Sequence, residues 1–287
     1  MSADLSPSTM RLALLSPIHG QSTDHIARQL ENYRAFLAPF ELRHYFHVSL
    51  ESHPDLQSDL TALAEREGHS IVFTSRRRPT WRPCTAYALC ELIKTALADH
   101  HSHDKVLIHT DTDLLVSRDA KKRLLKSRIG CGEGTFRGAK GRWKWSQKAQ
   151  SDPHIQRFIE EMLDGDPSQL RKGRICGAFM PWSVFKTFGV IYNAYFDTSY
   201  FEQNPKHHWP LTEIAIPTIL RLLQGPDQRF RSPLINVPKN NKVTSRSIDR
   251  LRRRRSDSFG LKKISRDTDS EAFHYLMQLQ EQAVQEA

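Results

Sequence analysis

Short apolar runs alternate with segments of helical periodicity between residues 11 and 109, and this alternation constrains the fold more than any other feature. Four segments have the length and composition of strands: residues 11–16, 42–48, 71–74 and 105–109. Three segments between them have apolar residues at helical spacing: residues 26–37, 55–67 and 83–98. Such alternation predicts an α/β fold with a Rossmann-like, mixed but mainly parallel sheet flanked by helices.

The second half of the chain is less regular. Residues 130–148 are rich in Gly, Lys and Arg and predict a long loop. Three further elements are predicted: a buried strand over 175–180 and helices over 153–163 and 211–223. A capping box at Thr268 and Glu271 predicts the start of a terminal helix. We expect one domain over 1–228, with a basic segment and C-terminal helix over 229–287 packing on it.

The stretch HTDTDLLV (109–116) places Asp111 and Asp113 directly after the apolar run Val106–Ile108. Two carboxylates at the end of a buried strand are costly unless a positive group sits beside them. That group can be a metal ion, a phosphate-bound metal or a basic side chain. In wound parallel sheets ligands bind beyond the carboxyl ends of the strands, so the pair falls where a binding site is expected.

The positive charge of the chain is concentrated in one segment. The net charge is +10, and residues 229–266 hold 13 Arg and Lys against Asp249 and Asp257, a local +11. The densest part, RLRRRR (250–255), suits nucleic acid, anionic lipid headgroups or substrate phosphates, and equally a solvated loop. It lacks interleaved aromatic residues, so nucleic acid is the less expected partner.

Several other classes of protein are disfavoured. No stretch approaches the roughly 18 apolar residues of a membrane span, and the N-terminus does not resemble a secretory signal. The four cysteines form no CxxC pair, which favours free thiols in a reducing cytoplasm. The histidines of HHSHD (100–104) are better interpreted as a solvated loop than as zinc ligands, and no serine has a GxSxG context.

The stretch VLIHTDTDLLV (106–116) resembles glycosyltransferases of the GT-A type, which carry an Asp-x-Asp after a central strand. The resemblance implies a GT-A-like domain that binds a nucleotide-sugar donor. It also implies that Asp111 and Asp113 bind a divalent metal, Mn²⁺ or Mg²⁺, which holds the donor diphosphate. Such ions prefer oxygen ligands and usually take one or two carboxylates beside substrate phosphates.

Two further stretches resemble branching N-acetylglucosaminyltransferases of the mucin type. IVFTSRRRPTWRPCTAYALCELIKTAL (71–97) has the order strand, basic turn, Trp and helix. LTEIAIPTIL (211–220) is similar to their acidic motif, in which a Glu enters a helix. In that group the Glu is the catalytic base of an inverting reaction, and this role carries over to Glu213.

Two departures leave alternatives open. The branching enzymes typically lack Asp-x-Asp and stabilise the leaving diphosphate with basic residues, whereas this chain has both the carboxylates and a basic segment. DTDLLV equally resembles retaining, metal-dependent glycosyltransferases, which need no Glu base and take a late His as third metal ligand. Here His207 or His208 is the candidate for that ligand.

The remaining site predictions follow from residue chemistry. We expect Asp113 to matter more than Asp111 for donor binding, because it stands farther beyond the strand end. Besides Asp111, the predicted nucleotide-sugar ligands are Arg76, Lys239, Lys242 and Arg246. Aromatic residues predicted to contact acceptor sugars are Trp182, Trp209 and Phe179, although a large buried aromatic is the favoured interpretation of the two tryptophans. The Arg252–Arg255 run is assigned to an anionic membrane surface or a lipid-linked acceptor. The predicted location is therefore cytoplasmic, peripheral on the inner face of a membrane, in polysaccharide or glycoconjugate synthesis.

Overall fold

The computed structural model describes residues 9–80, 84–138, 141–203, 209–238, 243–253, 258–265 and 267–285. Its strands are β1 Arg11–Ile18, β2 Glu41–Val48, β3 Ser70–Phe73, β4 Lys105–Ile108, β5 Leu114–Leu115, β6 Gly134–Thr135, β7 Arg171–Lys172, β8 Ala178–Pro181, β9 Ile235–Asn236 and β10 Gly260–Leu261. Its helices are α1 Thr23–Leu37, α2 Leu56–Glu67, α3 Ala86–Ala98, α4 Asp119–Lys126, α5 Ser146–Ser151, α6 Pro153–Met162, α7 Trp182–Tyr195, α8 Thr198–Gln203, α9 Thr212–Gln224, α10 Ser245–Arg253 and α11 Glu271–Gln285.

The central sheet has the order β3-β2-β1-β4-β8. The first four strands are parallel and β8 runs antiparallel to β4. The prediction of a mixed, mainly parallel sheet flanked by helices is therefore confirmed. The chain leaves β1 toward β2 and later returns to β4 on the other side of β1. The crevice between the carboxyl ends of β1 and β4 is thus the switch point at which such sheets bind ligands.

Helices cover both faces of this sheet, as right-handed crossovers require. On one face α1 packs against α2 and α11, and on the other α3 packs against α7, which contacts α9. The interiors of β1 and β4 are buried, with Leu12, Leu14 and Leu107 at 0% exposure. Among the described residues, no helix is both long and apolar enough to cross a membrane.

A second, three-stranded sheet links the C-terminal segment to the aspartate stretch. β10 pairs antiparallel with β5, which begins directly after Asp113, and parallel with β9. The described portions of the basic segment 229–266 include α10 and β10. Strands β5, β9 and β10 contain two residues each, which is too few for a periodic pattern to appear in the sequence. The segment therefore contributes directly to the edge of the sheet where the aspartates lie.

Two local expectations need adjustment. The predicted loop over 130–148 contains β6, which pairs with β7, and the beginning of α5. The terminal helix begins at Glu271 rather than at Thr268, because the carbonyl of Ser270 accepts the first helical hydrogen bonds, from Phe273 and His274. All four cysteines are free thiols, as the sequence predicted.

Candidate active site

A cavity of about 660 Å³ opens at the carboxyl ends of β1 and β4. Its walls come from five parts of the chain: the exit of β1, the residues before α3, the aspartate stretch, the segment 174–176 with the start of α9, and the residues after β10. The lining includes Asp111, Glu213, Lys262 and Arg174. The volume lies within the roughly 300–1,000 Å³ of small-molecule sites. The two stretches that carried the sequence argument, 106–116 and 211–220, therefore meet at one cavity.

Asp113 closes the turn that presents Asp111. Its Oδ2 accepts a hydrogen bond from the backbone N–H of Thr110 at 2.9 Å, and its own N–H donates to the Thr110 carbonyl at 3.1 Å. Asp113 is 0% exposed and does not line the cavity. Burial raises the pKa of its carboxyl group more than Lys262 and the Thr110 N–H lower it.

Asp111 stands at the tip of that turn and faces the cavity. Its Oδ2 accepts a hydrogen bond of 2.7 Å from the backbone N–H of His19, in the exit loop of β1. This bond joins the ends of β1 and β4 across the switch point. Asp111, rather than Asp113, is thus the aspartate that is exposed to the cavity. The expectation that Asp113 reaches farther out does not account for this turn, which folds Asp113 back beneath Thr110.

Helix α1 holds the aspartate turn in place with a polar, buried face. His25, Gln29 and Asn32 lie three or four residues apart on the helix and are each at most 2% exposed. The Gln29 amide donates to the carbonyls of Thr110 and Asp113 at 2.9 and 2.7 Å. Nε2 of His25 lies 3.1 Å from the carbonyl oxygen of Asp111. Backbone carbonyls that a strand would otherwise pair are satisfied here by side chains.

Lys262 supplies positive charge beside the turn. Its Nζ donates to Oγ1 of Thr110 at 2.5 Å and lies 3.8 Å from Oδ1 of Asp113. Burial lowers the pKa of Lys262, but Asp113, the Cys176 thiol and Asp111 outweigh it, so the pKa is raised above its usual value. The ammonium therefore stays charged at neutral pH.

Glu213 lies in the first turn of α9 and is half buried in the cavity wall. Burial raises the pKa of its carboxyl group, and the nearby cations Arg174, Lys172 and Lys262 only reduce that effect. A carboxylate with a raised pKa is a better proton acceptor, which is the property a general base needs.

Pro217 explains how the segment before β8 is fixed beside Glu213. A residue four positions after Glu213 would normally donate its N–H to the Glu213 carbonyl, but Pro217 has none. The N–H of Gly173 takes its place at 2.8 Å, and the hydroxyl of Thr218 accepts from the N–H of Arg171 at 2.9 Å. The Glu213 carbonyl, which has no helical donor because of Pro217, therefore anchors residues 171–174 and brings Arg174 to the cavity.

The charges that line the cavity favour an anionic ligand. Arg174, Lys262 and Lys263 face it together with the carboxyl groups of Asp111 and Glu213. Nζ of Lys263 also donates to the carbonyl of Pro238 at 3.2 Å. The hydroxyl-bearing lining residues add neutral hydrogen-bonding groups: Thr80, Thr85, Thr110, Thr112, Thr212 and Ser265.

The aromatic residues predicted to bind acceptor sugars do not line this cavity. Trp182 follows β8, and because β8 runs antiparallel to β4 it lies at the opposite end of the sheet, 4.9 Å from His103 between ring centres. Phe179 is 0% exposed within β8. Trp209 is buried and donates from Nε1 to Asp152 at 2.9 Å. Phe179 and Trp209 are core residues and Trp182 is partly buried against the core, which for the two tryptophans is the alternative that the sequence favoured.

The predicted basic ligands are also dispersed. Arg76 lines a separate surface depression and lies 3.6 Å from Glu202. Arg246 is exposed on α10 and does not line the cavity. Lys239 and Lys242 lie outside the described residues, as do His207 and His208.

The carboxylate pair fits a divalent ion poorly in this arrangement. Asp113 has Oδ2 occupied by the Thr110 N–H, and its buried Oδ1 has no hydrogen-bond partner but faces the Lys262 ammonium. Within the described ranges, the one group of three metal-ligating side chains is Glu31, Glu67 and His69. Glu31 lies in α1, Glu67 ends α2 and His69 directly precedes β3, at the end of the sheet away from the cavity. Of the two aspartates, Asp111 is the one that lines the cavity and is placed to meet an ion there.

The residues that hold the turn and balance its charge were not predicted from the sequence. The three α1 residues had a recognisable sequence signal, because His25, Gln29 and Asn32 are polar residues on the buried side of an otherwise amphipathic helix. Lys262 had a weaker one, the apolar SFGL (258–261) within a basic segment. Arg174 had none, because its position depends on the contact between Gly173 and Glu213.

No protein-family model matches the chain, and no curated protein matches it. Among solved structures, an active-site mutant of LgtC has 15% identity and a TM-score of 0.49, covering 95% of this chain and 96% of that one. The galactosyltransferase LgtC with donor and acceptor sugar analogues has 12% identity, a TM-score of 0.45 and the same coverage. The mannosyltransferase PcManGT of Pyrobaculum calidifontis, with GDP-Man and Mn²⁺, has 20% identity and a TM-score of 0.32. That match covers 44% of this chain and about a third, 35%, of the mannosyltransferase.

Proposed function

We propose that the protein is a glycosyltransferase that moves a sugar from a nucleoside-diphosphate sugar to a hydroxyl group of a glycan or lipid-linked acceptor. One observation carries the proposal: Asp111, Glu213, Arg174 and Lys262 line a single cavity at the switch point of a mainly parallel sheet. Cations suit a diphosphate, and a carboxylate with a raised pKa suits proton removal from a hydroxyl group.

In the proposed reaction the acceptor hydroxyl oxygen attacks the anomeric carbon of the donor sugar. The bond between that carbon and the diphosphate oxygen breaks, and the nucleoside diphosphate leaves with the bonding electrons. Glu213 accepts the hydroxyl proton. Lys262 and Arg174 stabilise the negative charge that develops on the leaving diphosphate, a contribution that does not require a metal ion. Asp111 accepts hydrogen bonds from hydroxyl groups of the donor.

Attack by an activated hydroxyl group on the face opposite the diphosphate inverts the anomeric configuration, so we propose an inverting reaction. The alternative is the retaining reaction. The two are distinguished by the anomeric configuration of the product, read from the proton coupling of its new glycosidic linkage by NMR. A product with the configuration of the donor would remove Glu213 from the role of base.

A thermal-shift panel tests the donor class. UDP-, GDP- and CMP-sugars are each added at millimolar concentration, with duplex DNA and RNA as controls. A ligand at 100 times its Kd stabilises a protein by about 2.7 kcal/mol, so one nucleotide sugar is expected to raise Tm by several degrees. No shift with any nucleotide sugar, combined with a salt-dependent shift by DNA or RNA, would replace this proposal with nucleic-acid binding.

The acceptor side of the proposal rests on the surface of α10. Ile248 and Leu251 of this helix are buried, whereas Arg246, Arg250, Arg252 and Arg253 are exposed. A helix with its arginines on the outer face suits an anionic membrane surface, at roughly 1 kcal/mol for each basic residue near it. We therefore place the enzyme, as a proposal, at the inner face of a membrane that carries lipid-linked acceptors.

A further inference from the structure

We propose that Lys262 is the resident cation of the aspartate turn, so that the site binds the diphosphate of its ligand without a divalent metal ion. The inference rests on the proposed function and names the group that takes the place predicted for Mn²⁺ or Mg²⁺.

The strand register brings Lys262 to the aspartates. Gly260 pairs with Leu115 and Leu261 with Leu114 in the antiparallel β10–β5 ladder. The next position on each strand sets Lys262 against Asp113, the arrangement in which opposite charges on neighbouring strands attract. The backbone N–H of Lys262 donates to the Asn236 carbonyl at 2.9 Å, and that of Ile264 to the Thr112 carbonyl at 3.3 Å. Backbone hydrogen bonds to Asn236 on one side and to Thr112 on the other therefore hold the segment that carries Lys262.

The ammonium takes up the charge that a metal would neutralise. It bonds to Oγ1 of Thr110 at 2.5 Å and lies 3.8 Å from Oδ1 of Asp113, whose carboxylate is 0% exposed. A metal ion that contacted both aspartates would have to open the turn closed by Asp113 and sit against the ammonium. Two positive groups at such a short distance repel each other strongly in a partly buried site. Lys262 and a shared metal ion thus exclude one another.

Lys262 also faces the space that a ligand would enter. It lines the cavity, and 25% of its side chain is exposed. An ammonium has three hydrogen atoms to donate, so it can bond to the turn and to a phosphate oxygen at once. Arg174 and Lys263 line the same cavity and add charge for a second phosphate. Together they provide the counter-charge that a diphosphate needs.

The metal arm of the test uses Mn²⁺ alone. Free Mn²⁺ is followed by electron paramagnetic resonance during titration with the wild type, Lys262→Met, Lys262→Arg and the matched control Lys263→Met. The wild type, Lys262→Arg and Lys263→Met are expected to bind no Mn²⁺ at the aspartate turn and therefore to leave the signal of free Mn²⁺ unchanged. Lys262→Met is expected to take up one equivalent, which the additional change Asp111→Asn removes. If Lys262→Met does not fold, the wild type and Lys262→Arg still decide the point.

The nucleotide arm uses calorimetry with UDP and GDP in EDTA. The wild type is expected to bind one of them with an affinity that changes less than twofold between EDTA and Mn²⁺. Lys262→Met is expected to bind it at least tenfold more weakly in EDTA. One equivalent of Mn²⁺ taken up by the wild type and lost in Asp111→Asn would overturn the inference, as would nucleotide binding that disappears in EDTA. If neither nucleotide binds under any condition, the proposed function fails, while the Mn²⁺ titration still decides the role of Lys262.

Discussion

Asp111 and Asp113 stand one residue apart in the sequence and have different surroundings in the structure. Asp111 lines the cavity, with one oxygen bonded to the His19 N–H. Asp113 is buried, closes the turn through Thr110 and faces Lys262. The first residue is thus placed to contact a ligand and the second to position the first. Substitutions at the two positions should therefore have different effects, on ligand binding for Asp111 and on stability for Asp113.

We expect Asp111→Asn to weaken nucleotide-sugar binding about tenfold or more, because it removes the charge from hydrogen bonds worth roughly 1.5–3 kcal/mol. Its Tm should stay within about 2 °C of the wild type. Asp113→Ala should instead lower the free energy of unfolding by about 2–3 kcal/mol, after allowing for the partial exposure of Lys262. Urea denaturation and calorimetry measure the two effects. The assignment is wrong if Asp113→Ala keeps wild-type stability and loses only binding.

At the scale of secondary-structure elements, α1 is a support for the site as well as a core helix. Its residue Asn32 is 0% exposed and bonds to Leu115 twice: it donates to the carbonyl at 3.1 Å and accepts from the N–H at 2.7 Å. Leu115 belongs to β5, which in turn pairs with β10. The register that sets Lys262 against Asp113 therefore depends on a side chain of α1.

Asn32→Leu should destabilise the protein by about 2–4 kcal/mol, because it leaves a buried N–H and a buried C=O without these partners. Arg28→Ala on the exposed side of α1 is the control, and we expect a change within about 0.5 kcal/mol. Chemical denaturation measures both. Equal stability of Asn32→Leu and Arg28→Ala would mean that α1 does not hold the turn.

Helix α10 presents its arginines outward while Ile248 and Leu251 pack inward, and its Ser245 and Asp249 side chains bond to Glu271 and Tyr275 of α11. The helix is therefore attached to the fold by one face and free to meet a partner with the other. That arrangement separates surface attachment from the cavity chemistry.

Replacing Arg246, Arg250, Arg252 and Arg253 with Ser should release the protein from anionic liposomes in sedimentation, while turnover of a water-soluble acceptor changes less than twofold. The control removes the same number of exposed basic side chains elsewhere: Arg28, Arg66, Lys122 and Lys126. Its liposome binding should be retained. Equal loss in the two variants would indicate a response to net charge rather than to α10. Loss of tight DNA or RNA binding in the arginine variant would indicate a nucleic-acid partner.

At the scale of the whole molecule, the sheet buries histidines in their neutral form. Burial lowers the pKa of His47 to about 4, of His103 to about 4 and of His109 to about 3, and it lowers the pKa of His44 well below its usual value. The unfolded chain binds protons at these residues from about pH 6.5 downward, whereas the folded protein does not. The stability that these neutral histidines contribute is therefore fully present above about pH 6.5 and is lost as the pH drops toward 4.

The Tm should accordingly fall by several degrees between pH 7.5 and pH 5. Asp113 and Glu213 oppose this trend, because burial raises the pKa of each, but the four histidines outnumber them. His47→Gln should reduce the pH dependence, and the exposed control His53→Gln should not. Differential scanning fluorimetry across this pH range measures it. A Tm that is constant or higher at pH 5 would contradict the effect assigned to burial.

Periodicity was enough to predict the parallel strands β1 to β4 and helices α1 and α3, because each is long enough to carry its own pattern. It could not reveal β5, β9 and β10, which have two residues each and exist only through pairing. For the site, the aspartate turn and Glu213 were found because each adjoins a regular element. Lys262 and Arg174 were missed because contacts distant in sequence bring them there. Trp182 was misplaced because the direction of β8 cannot be read from its residues.

The measurement that tests the central claim most directly is the pH dependence of nucleoside diphosphate release from the donor sugar, with acceptor present, for the wild type and Glu213→Gln. In the wild type kcat/KM should rise with pH through an apparent pKa above the roughly 4.3 of an unperturbed Glu, because the base must be ionised and burial raises its pKa. Glu213→Gln should bind the donor within about twofold of the wild type, release nucleotide about 10²-fold more slowly or worse, and lose that pH dependence. A Glu213→Gln enzyme with wild-type turnover and the same pH profile would contradict the account.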